Sequence, residues 1–131
     1  MPKLSEKSLE RLNTCHPDLV KVVMKTIEMV DFVVICGERN KPEQDIAFEN
    51  GLSKQKWPNS KHNVLPFSTA IDLAPYPINW NDRNRFIFLA GCIMAIAHTM
   101  GIKMRWGGDW NSDRMFNDSF VDMPHFELVG K

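Results

Sequence analysis

Two histidines and an aspartate have the types and positions to do chemistry together in this sequence. His62 ends a polar, turn-rich segment, Asp72 lies inside the apolar run Ala-Ile-Asp-Leu-Ala, and His125 opens a late apolar segment. A catalytic zinc ion typically takes three protein ligands of the histidine and carboxylate types and leaves a fourth position for water. Three such side chains, presented from neighbouring strands, would form a site of this kind.

The position of Asp72 has two explanations on the residues alone. An ionised carboxylate among core residues must be paired or bound to a cation, because an isolated buried charge costs too much free energy. Metal ligation is one solution, and a hydrogen bond from the backbone or an ion pair with an arginine is the other. The HExxH pattern of helical zinc proteases is absent from the sequence.

The remaining histidines and the cysteines do not predict a second site. His16 precedes a proline and is expected to cap a helix, whereas His98 falls near the end of an apolar helix. The cysteines are odd in number and form no CxxC pair, so neither a disulfide framework nor a cysteine-based zinc site is expected. They are Cys15, Cys36 and Cys92.

The composition is that of a globular protein. The 131 residues are 44% hydrophobic and 24% charged, and 16 basic side chains balance 16 acidic ones. A net charge of zero argues against nucleic acid as a partner, because nucleic-acid-binding domains carry a basic excess. The length favours one domain over residues 1–131, which we expect to be a monomer.

Nothing in the sequence predicts insertion into a membrane. The longest apolar stretch, residues 86–100, is shorter than the about 20 residues that span a bilayer. The N-terminal segment lacks the apolar run of a secretory signal. Unpaired thiols agree with synthesis in a reducing cytosol.

The pattern of apolar residues, prolines and glycines predicts four helices and four strands. Helices are expected over about residues 5–13, 16–30, 41–51 and 80–101. Strands are expected over 31–39, 70–77, 102–110 and 123–129, with a loop over 111–120. This order predicts an α+β fold with a small antiparallel sheet packed with helices.

Three segments resemble a known enzyme family when they are taken in order: SKH with AIDLAPYP, then MRWGGDW, then DMPHFEL. They look like the VanX/VanY-type zinc D,D-peptidases, and most like the phage L-alanyl-D-glutamate endopeptidase branch. The resemblance covers about residues 15–129 and implies a hedgehog/D,D-peptidase-like fold with the zinc site on the sheet. The family pattern falls on Arg39, Gln44, Ser60, His62, Ala70, Asp72, Asp122 and His125.

The resemblance implies a role for each matched polar residue. His62, Asp72 and His125 would bind zinc. Asp122 would be the general base that takes a proton from the attacking water and later gives it to the leaving amine. Its position three residues before a ligand would fix its distance from the metal.

Arg39, Ser60 and Gln44 would complete the site. The resemblance implies that Arg39 stabilises the oxyanion or holds a substrate carboxylate, and a structural salt bridge is the alternative. Ser60 and Gln44 would bind substrate, although Ser60 suits a turn equally well. Asp109 fits either a partner of a ligand histidine or a turn carboxylate. Three aromatic side chains fit either the substrate groove or the core: Tyr76, Trp106 and Trp110.

One departure from the family pattern concerns the gap between His62 and Asp72. It is longer than is usual for the family, and residues 64–69, VLPFST, replace a glycine turn. Loops absorb such insertions at a small entropic cost. We expect these residues to loop out beside the metal and shape the substrate groove.

The function implied by the resemblance is hydrolysis of peptidoglycan stem peptides at the L-alanyl–D-glutamate bond by a zinc metallopeptidase. Such a protein would be a phage or prophage endolysin, made in the host cytoplasm and active at the cell wall after release. One alternative is a D-alanyl-D-alanine carboxypeptidase. The other, from a different class, is a non-catalytic zinc-stabilised binding module, which would need neither Asp122 nor Arg39.

Overall fold

Four strands form an antiparallel sheet in the part of the chain that the computed structural model describes, residues 2–115 and 121–131. The strands are β1 (Phe32–Cys36), β2 (Ala70–Pro75), β3 (Met104–Trp106) and β4 (His125–Leu128). They lie in the order β1-β2-β4-β3, and each neighbouring pair is antiparallel. The inner strands are therefore β2 and β4.

The same part of the chain contains four α-helices. They are α1 (Glu6–Leu12), α2 (Pro17–Thr26), α3 (Lys41–Glu49) and α4 (Arg83–Thr99). His16 caps α2, because its Nδ1 accepts a hydrogen bond from the Asp18 backbone N–H at 3.0 Å. Asn40 and Glu43 form a reciprocal capping box that begins α3.

The hydrophobic core lies on one face of the sheet. Side chains alternate along a strand, so Ile71 and Leu73 of β2 share this face with Phe126 and Leu128 of β4. None of the four is more than 1% exposed, and they pack with apolar residues of α2 and α4. Burial of each such side chain stabilises the fold by about 1.5–3 kcal/mol.

The opposite face of the sheet carries polar residues. Asp72 on β2 is directly opposite His125 on β4, and Arg105 on β3 is directly opposite Glu127 on β4. Directly opposed residues point to the same side, with Cβ atoms about 4.5–5.5 Å apart. The register of the strands therefore gathers four polar side chains, and these form the base of the candidate site.

The predicted α+β fold is confirmed, and every predicted helix and strand is present. The predicted strand over 102–110 is shorter than expected: β3 ends at Trp106, and the chain turns at Gly107 and Gly108. The predicted loop over 111–120 is described only as far as residue 115, and residues 116–120 lie outside the described part. Among the described helices none is both long and apolar enough to cross a membrane.

Candidate active site

A short 3₁₀ helix, Lys61–Asn63, presents His62 to the polar face of the sheet. Ser60 caps this helix: its Oγ accepts a hydrogen bond from the His62 backbone N–H at 3.2 Å. The Asn63 side chain accepts one from the Ser60 backbone N–H at 3.1 Å. His62 as a whole residue is 1% exposed. The local sequence Ser-Lys-His-Asn thus holds a buried histidine in one position.

Three side-chain atoms from three different elements converge at this point. Asp72 Oδ1 lies 3.3 Å from His62 Nε2 and 3.3 Å from His125 Nδ1. The two nitrogens are also 3.3 Å apart. A tetrahedral zinc ion with N and O ligands at about 2.0–2.1 Å keeps those ligands about 3.3–3.4 Å from one another. The triangle therefore has the size that such an ion requires.

The outer nitrogen of each imidazole donates to a fixed acceptor. His62 Nδ1 donates to the Gly37 carbonyl oxygen at 2.7 Å. His125 Nε2 donates to the Glu127 carboxylate at 2.8 Å. Because both partners are acceptors only, the inner nitrogens of the neutral rings carry lone pairs that face Asp72. Metal-binding histidines in proteins are commonly oriented in this way.

The carboxylate of Asp72 has one paired oxygen and one that lacks a partner. Its Oδ2 accepts a hydrogen bond from Arg39 Nη2 at 3.2 Å. Its Oδ1 is buried and accepts no hydrogen bond from the described residues. A buried oxygen of this kind is costly, and when both imidazoles are neutral it also faces two nitrogen lone pairs. A cation between the three atoms resolves both problems, so the donor set fits a divalent metal such as zinc.

When no metal is bound, a proton on His62 balances the negative charge of the Asp72 carboxylate. Burial lowers the pKa of His62, but the Asp72 carboxylate outweighs burial and raises that pKa to about 10. Burial raises the pKa of Asp72, yet His62 and His125 hold it well below its usual range. Asp72 is therefore ionised at neutral pH, whereas a metal ion must displace a proton from His62.

Asp122 lies beside the triangle, on the segment that leads into β4. Ligand atoms of Asp72, Asp122 and His125 lie within 4.8 Å of one another. The Asp122 backbone N–H donates to the Gly107 carbonyl at 2.7 Å, and its carbonyl accepts from the His125 N–H at 3.0 Å. Burial, together with the charge of Asp72, raises the pKa of Asp122 to about 6. Such a carboxyl group can accept and return a proton near neutral pH.

Gly107 permits the close approach of the Asp122 backbone. A Cβ at position 107 would lie 2.1 Å from the Asp122 carbonyl oxygen, so any side chain there would have to displace that oxygen.

Asp109, in the same segment, accepts a hydrogen bond from the Arg114 backbone N–H at 2.8 Å. Of the two interpretations of Asp109, the turn carboxylate is the one that this contact supports.

Arg39 is held against Asp72 by a buried amide. Its Nη2 donates to Asp72 and its Nη1 donates to Gln44 Oε1, each at 3.2 Å. Gln44 is fully buried, and its own amide nitrogen donates to Ser53 Oγ and the Gln55 carbonyl. The structure thus places Gln44 behind Arg39, where it orients the guanidinium and does not reach the cleft.

A cleft of about 410 Å³ opens over the converging atoms. Its wall includes Ser60 and Trp110, and the Trp110 ring lies 5.3 Å from the His125 ring. Trp106 is in the core and Tyr76 lies outside the cleft. Residues 64–69, which were expected to shape the substrate groove, do not line this cleft. Three of them are exposed apolar side chains away from the cleft lining: Val64, Leu65 and Phe67.

Cys36 is a further neighbour of the site. It is opposite Asp72 in the pairing of β1 with β2, and its Sγ lies 4.0 Å from His62 Nδ1. Cys36, His62 and Asp72 also present ligand atoms within 4.8 Å of one another. His62 Nδ1, however, already donates to the Gly37 carbonyl. The nitrogen left to bind a metal is Nε2, which faces Asp72 and His125.

Two residues that orient the imidazoles, Gly37 and Glu127, were not predicted from the sequence. A signal for Glu127 was available, because a residue two positions after His125 on a strand faces the same side. Gly37 gave no such signal, since it acts through a carbonyl oxygen whose direction only the folded backbone determines.

An antiparallel sheet that holds two imidazoles and a carboxylate at the base of a cleft, with a second carboxylate beside them, defines a candidate metal-dependent hydrolase. Comparison with known proteins narrows this class. A family model described as phage L-alanyl-D-glutamate peptidase matches residues 1–129. The chain belongs to that family.

Two relatives are similar to this chain over almost their whole lengths. The L-alanyl-D-glutamate peptidase of Escherichia phage T5 is 32% identical over an alignment of 136 positions, which covers 97% of this chain and 98% of the relative. The crystal structure of the Serratia marcescens L-Ala D-Glu endopeptidase ChiX matches with a TM-score of 0.76 and 27% identity, covering 97% of this chain and 90% of that chain. The resemblance to the phage endopeptidase branch is confirmed.

Proposed function

We propose that this chain is a zinc peptidase that hydrolyses the L-alanyl–D-glutamate bond of peptidoglycan stem peptides. The observation that carries the proposal is the 3.3 Å triangle of His62, Asp72 and His125 in a member of the phage L-alanyl-D-glutamate peptidase family. Both relatives are named for an activity on this bond.

His62 Nε2, Asp72 Oδ1 and His125 Nδ1 are the atoms that would hold the metal. When bound there, zinc supplies a Lewis acid that polarises the scissile carbonyl and lowers the pKa of a water toward about 7. The Gly37 carbonyl and the Glu127 carboxylate keep the imidazoles in the tautomers that can bind. Arg39 holds Oδ2 of Asp72, which leaves Oδ1 directed at the site.

Asp122 would transfer the protons of the reaction. As the water oxygen attacks the L-alanyl carbonyl carbon, the Asp122 carboxylate accepts a proton from that water. When the carbon–nitrogen bond breaks, Asp122 returns the proton to the D-glutamyl amine. Its hydrogen bonds to Gly107 and His125 support this role, because they fix the distance between the carboxylate and the site.

Arg39 and Ser60 would contact the substrate, with Gln44 in support. A guanidinium has five N–H donors, so Arg39 keeps donors for an oxyanion or a substrate carboxylate after it has bonded Asp72 and Gln44. The Ser60 hydroxyl lines the cleft and accepts from the His62 N–H, which leaves its own proton for a substrate oxygen. Gln44, assigned to substrate from the sequence, would act through Arg39.

We further infer that the chain acts as a phage or prophage endolysin. It would be made in the host cytoplasm and would reach the cell wall after release. Peptidoglycan is the partner that this activity requires. A formal net charge of zero supports the expectation that nucleic acid is not a partner.

Digestion of purified peptidoglycan tests the proposal. The new termini are mapped by mass spectrometry after incubation with the zinc-loaded protein. New N-terminal D-glutamate is expected. Release of D-alanine would instead establish a D-alanyl-D-alanine carboxypeptidase, and a zinc-loaded protein that binds peptidoglycan without creating termini would be a binding module. Asp122→Asn serves as the matched variant, since it removes the base and keeps the metal ligands.

A further inference from the structure

Lys61, Arg105 and Glu127 all line the cleft. Arg105 is directly opposite Glu127 across the β3–β4 pair, with 3.5 Å between its Nη2 and Glu127 Oε2. The positive charge of Lys61 also acts on the Glu127 carboxylate. We call Lys61 and Arg105 the cationic pair. It is adjacent to the metal site, because Glu127 bonds His125 through its other oxygen.

The cationic pair has donors that the described residues leave unused. Arg105 Nε is buried and has no hydrogen-bond partner there. The 3.5 Å contact of Arg105 with Glu127 is an ion pair, longer than a good charge-assisted hydrogen bond. Within residues 2–115 and 121–131, the Lys61 ammonium forms no hydrogen bond or close ion pair. A buried donor without a partner calls for an explanation such as a group bound from outside the protein.

Arg39 makes more hydrogen bonds inside the protein than the cationic pair does. Each of its terminal nitrogens already donates one hydrogen bond, to Asp72 and to Gln44 respectively. Those contacts fix its guanidinium beneath the metal site. Positive charge with fewer hydrogen bonds inside the protein lies at Lys61 and at Arg105, whose Nε has no partner among the described residues beside the ion pair with Glu127.

The charge of the cleft also differs from that of the chain. The chain is formally neutral, and residues 50–71, which supply much of the cleft wall, contain three lysines and no acidic residue. A cleft dominated by one sign of charge concentrates ligands of the opposite sign. The charged side chains of its lining are Arg39, Lys54, Lys61, Arg105, Asp122 and Glu127.

We propose that the cationic pair is a subsite for the free carboxylate of the D-glutamyl residue that follows the scissile bond. Glutamate has two carboxyl groups, and a stem peptide that continues beyond it uses only one of them in the next amide bond. The other is an anion on the leaving side of the scissile bond unless it is amidated. The proposal deepens the proposed function and rests on it. It makes Lys61 and Arg105 specificity-determining residues.

Two matched substrates test the subsite. They are L-alanyl-D-glutamyl peptides that differ only in whether the free carboxyl group is a carboxylate or a carboxamide. The ratio of their kcat/KM values is measured for the wild type, Lys61→Met and Arg105→Gln. Loss of a hydrogen bond to a charged group corresponds to about a tenfold change or more. We expect the preference for the carboxylate to fall by about tenfold in each variant, mainly through KM.

Control variants remove positive charges that do not line the cleft. Lys56→Met removes a lysine of the same acid-free segment, which lies over the Phe48 ring, and Arg83→Gln removes an exposed arginine at the start of α4. Neither should change the preference. Zinc content is measured for every variant, because Arg105 also contacts Glu127.

The outcomes separate the subsite from the peptidase activity. A preference that falls in Lys61→Met and Arg105→Gln but not in the controls supports the subsite. Equal losses on both substrates would overturn it, since the cationic pair would then act only through Glu127 and the metal site. A wild type that cleaves both peptides without preferring the carboxylate also overturns the subsite and leaves the proposed function standing. A wild type that cleaves neither peptide refutes the proposed function, and the subsite with it.

Discussion

Asp72 and His125 are direct neighbours across β2 and β4, with 3.3 Å between Asp72 Oδ1 and His125 Nδ1. Strand register therefore sets the distance between these two candidate ligands. A slip of one residue would send them to opposite faces of the sheet. His62 reaches the same point from the capped 3₁₀ helix. The candidate metal site is thus held by hydrogen-bonded elements on all three sides.

The role of Asp122 is tested by Asp122→Asn. Turnover of an L-alanyl-D-glutamyl peptide should fall by about 10²–10⁴-fold, the usual contribution of a general base. Zinc content, measured by inductively coupled plasma mass spectrometry, should stay at the wild-type level because His62, Asp72 and His125 are intact. Asp45→Asn, which alters an exposed carboxylate on α3, is the control. Activity within about tenfold of the wild type would exclude Asp122 as the base.

The role of Glu127 is tested by Glu127→Gln. The substitution keeps the size of the side chain but replaces the carboxylate that accepts from His125 Nε2 at 2.8 Å. Loss of such a partner commonly weakens metal binding by about 10–100-fold, so the zinc dissociation constant should rise by about that factor. Competition with a chromophoric chelator measures it. An unchanged dissociation constant would mean that Glu127 does not orient His125 for the metal, and Glu10→Gln is the exposed control.

The close contact at Gly107 predicts an effect on catalysis from a single methyl group. Gly107→Ala should lower kcat, because the added Cβ must push the Asp122 backbone away from its position. Zinc binding should be affected less than kcat. Gly91→Ala is the matched control: a Cβ there meets nothing within 4 Å, and alanine in a helix interior should stabilise the protein by about 0.5–1 kcal/mol. Equal kcat values for the two variants would show that the close approach of Gly107 and Asp122 is not needed for catalysis.

Metal affinity should increase with pH. In the metal-free protein the pKa of His62 is raised to about 10 by Asp72, so His62 is protonated throughout pH 6–8 and zinc must displace that proton. The pKa of Asp72 is lowered, so this carboxylate adds no proton in that range. The apparent affinity should therefore rise by about tenfold per pH unit or more. Calorimetry in buffers of different ionisation enthalpy counts the released protons, and a count of zero would contradict the assignment of His62.

The fold was predictable from the sequence because its signals are local. A proline and a capping residue mark the start of α2, at Pro17 and His16, and apolar runs mark the strands. The ends of the strands were less predictable. β3 stops at Trp106 because the backbone must turn at Gly107 to approach Asp122, and this contact joins segments that are distant in sequence.

The candidate site was predictable only in part. The family pattern led to His62, Asp72, Asp122 and His125, and the structure brings these four together. The assignment of their roles stays a prediction. What could not be read from the sequence depends on the fold: the carbonyl of Gly37, the buried position of Gln44 and the direction of residues 64–69.

Zinc content shows whether His62, Asp72 and His125 bind a metal ion. About one zinc ion per wild-type chain is expected, with a marked loss in His62→Ala, Asp72→Ala and His125→Ala, each measured on folded protein after dialysis against a weak chelator. Circular dichroism confirms that each variant is folded. Full zinc content in Asp72→Ala, or a wild type that binds no zinc, would show that these three residues do not form a zinc site.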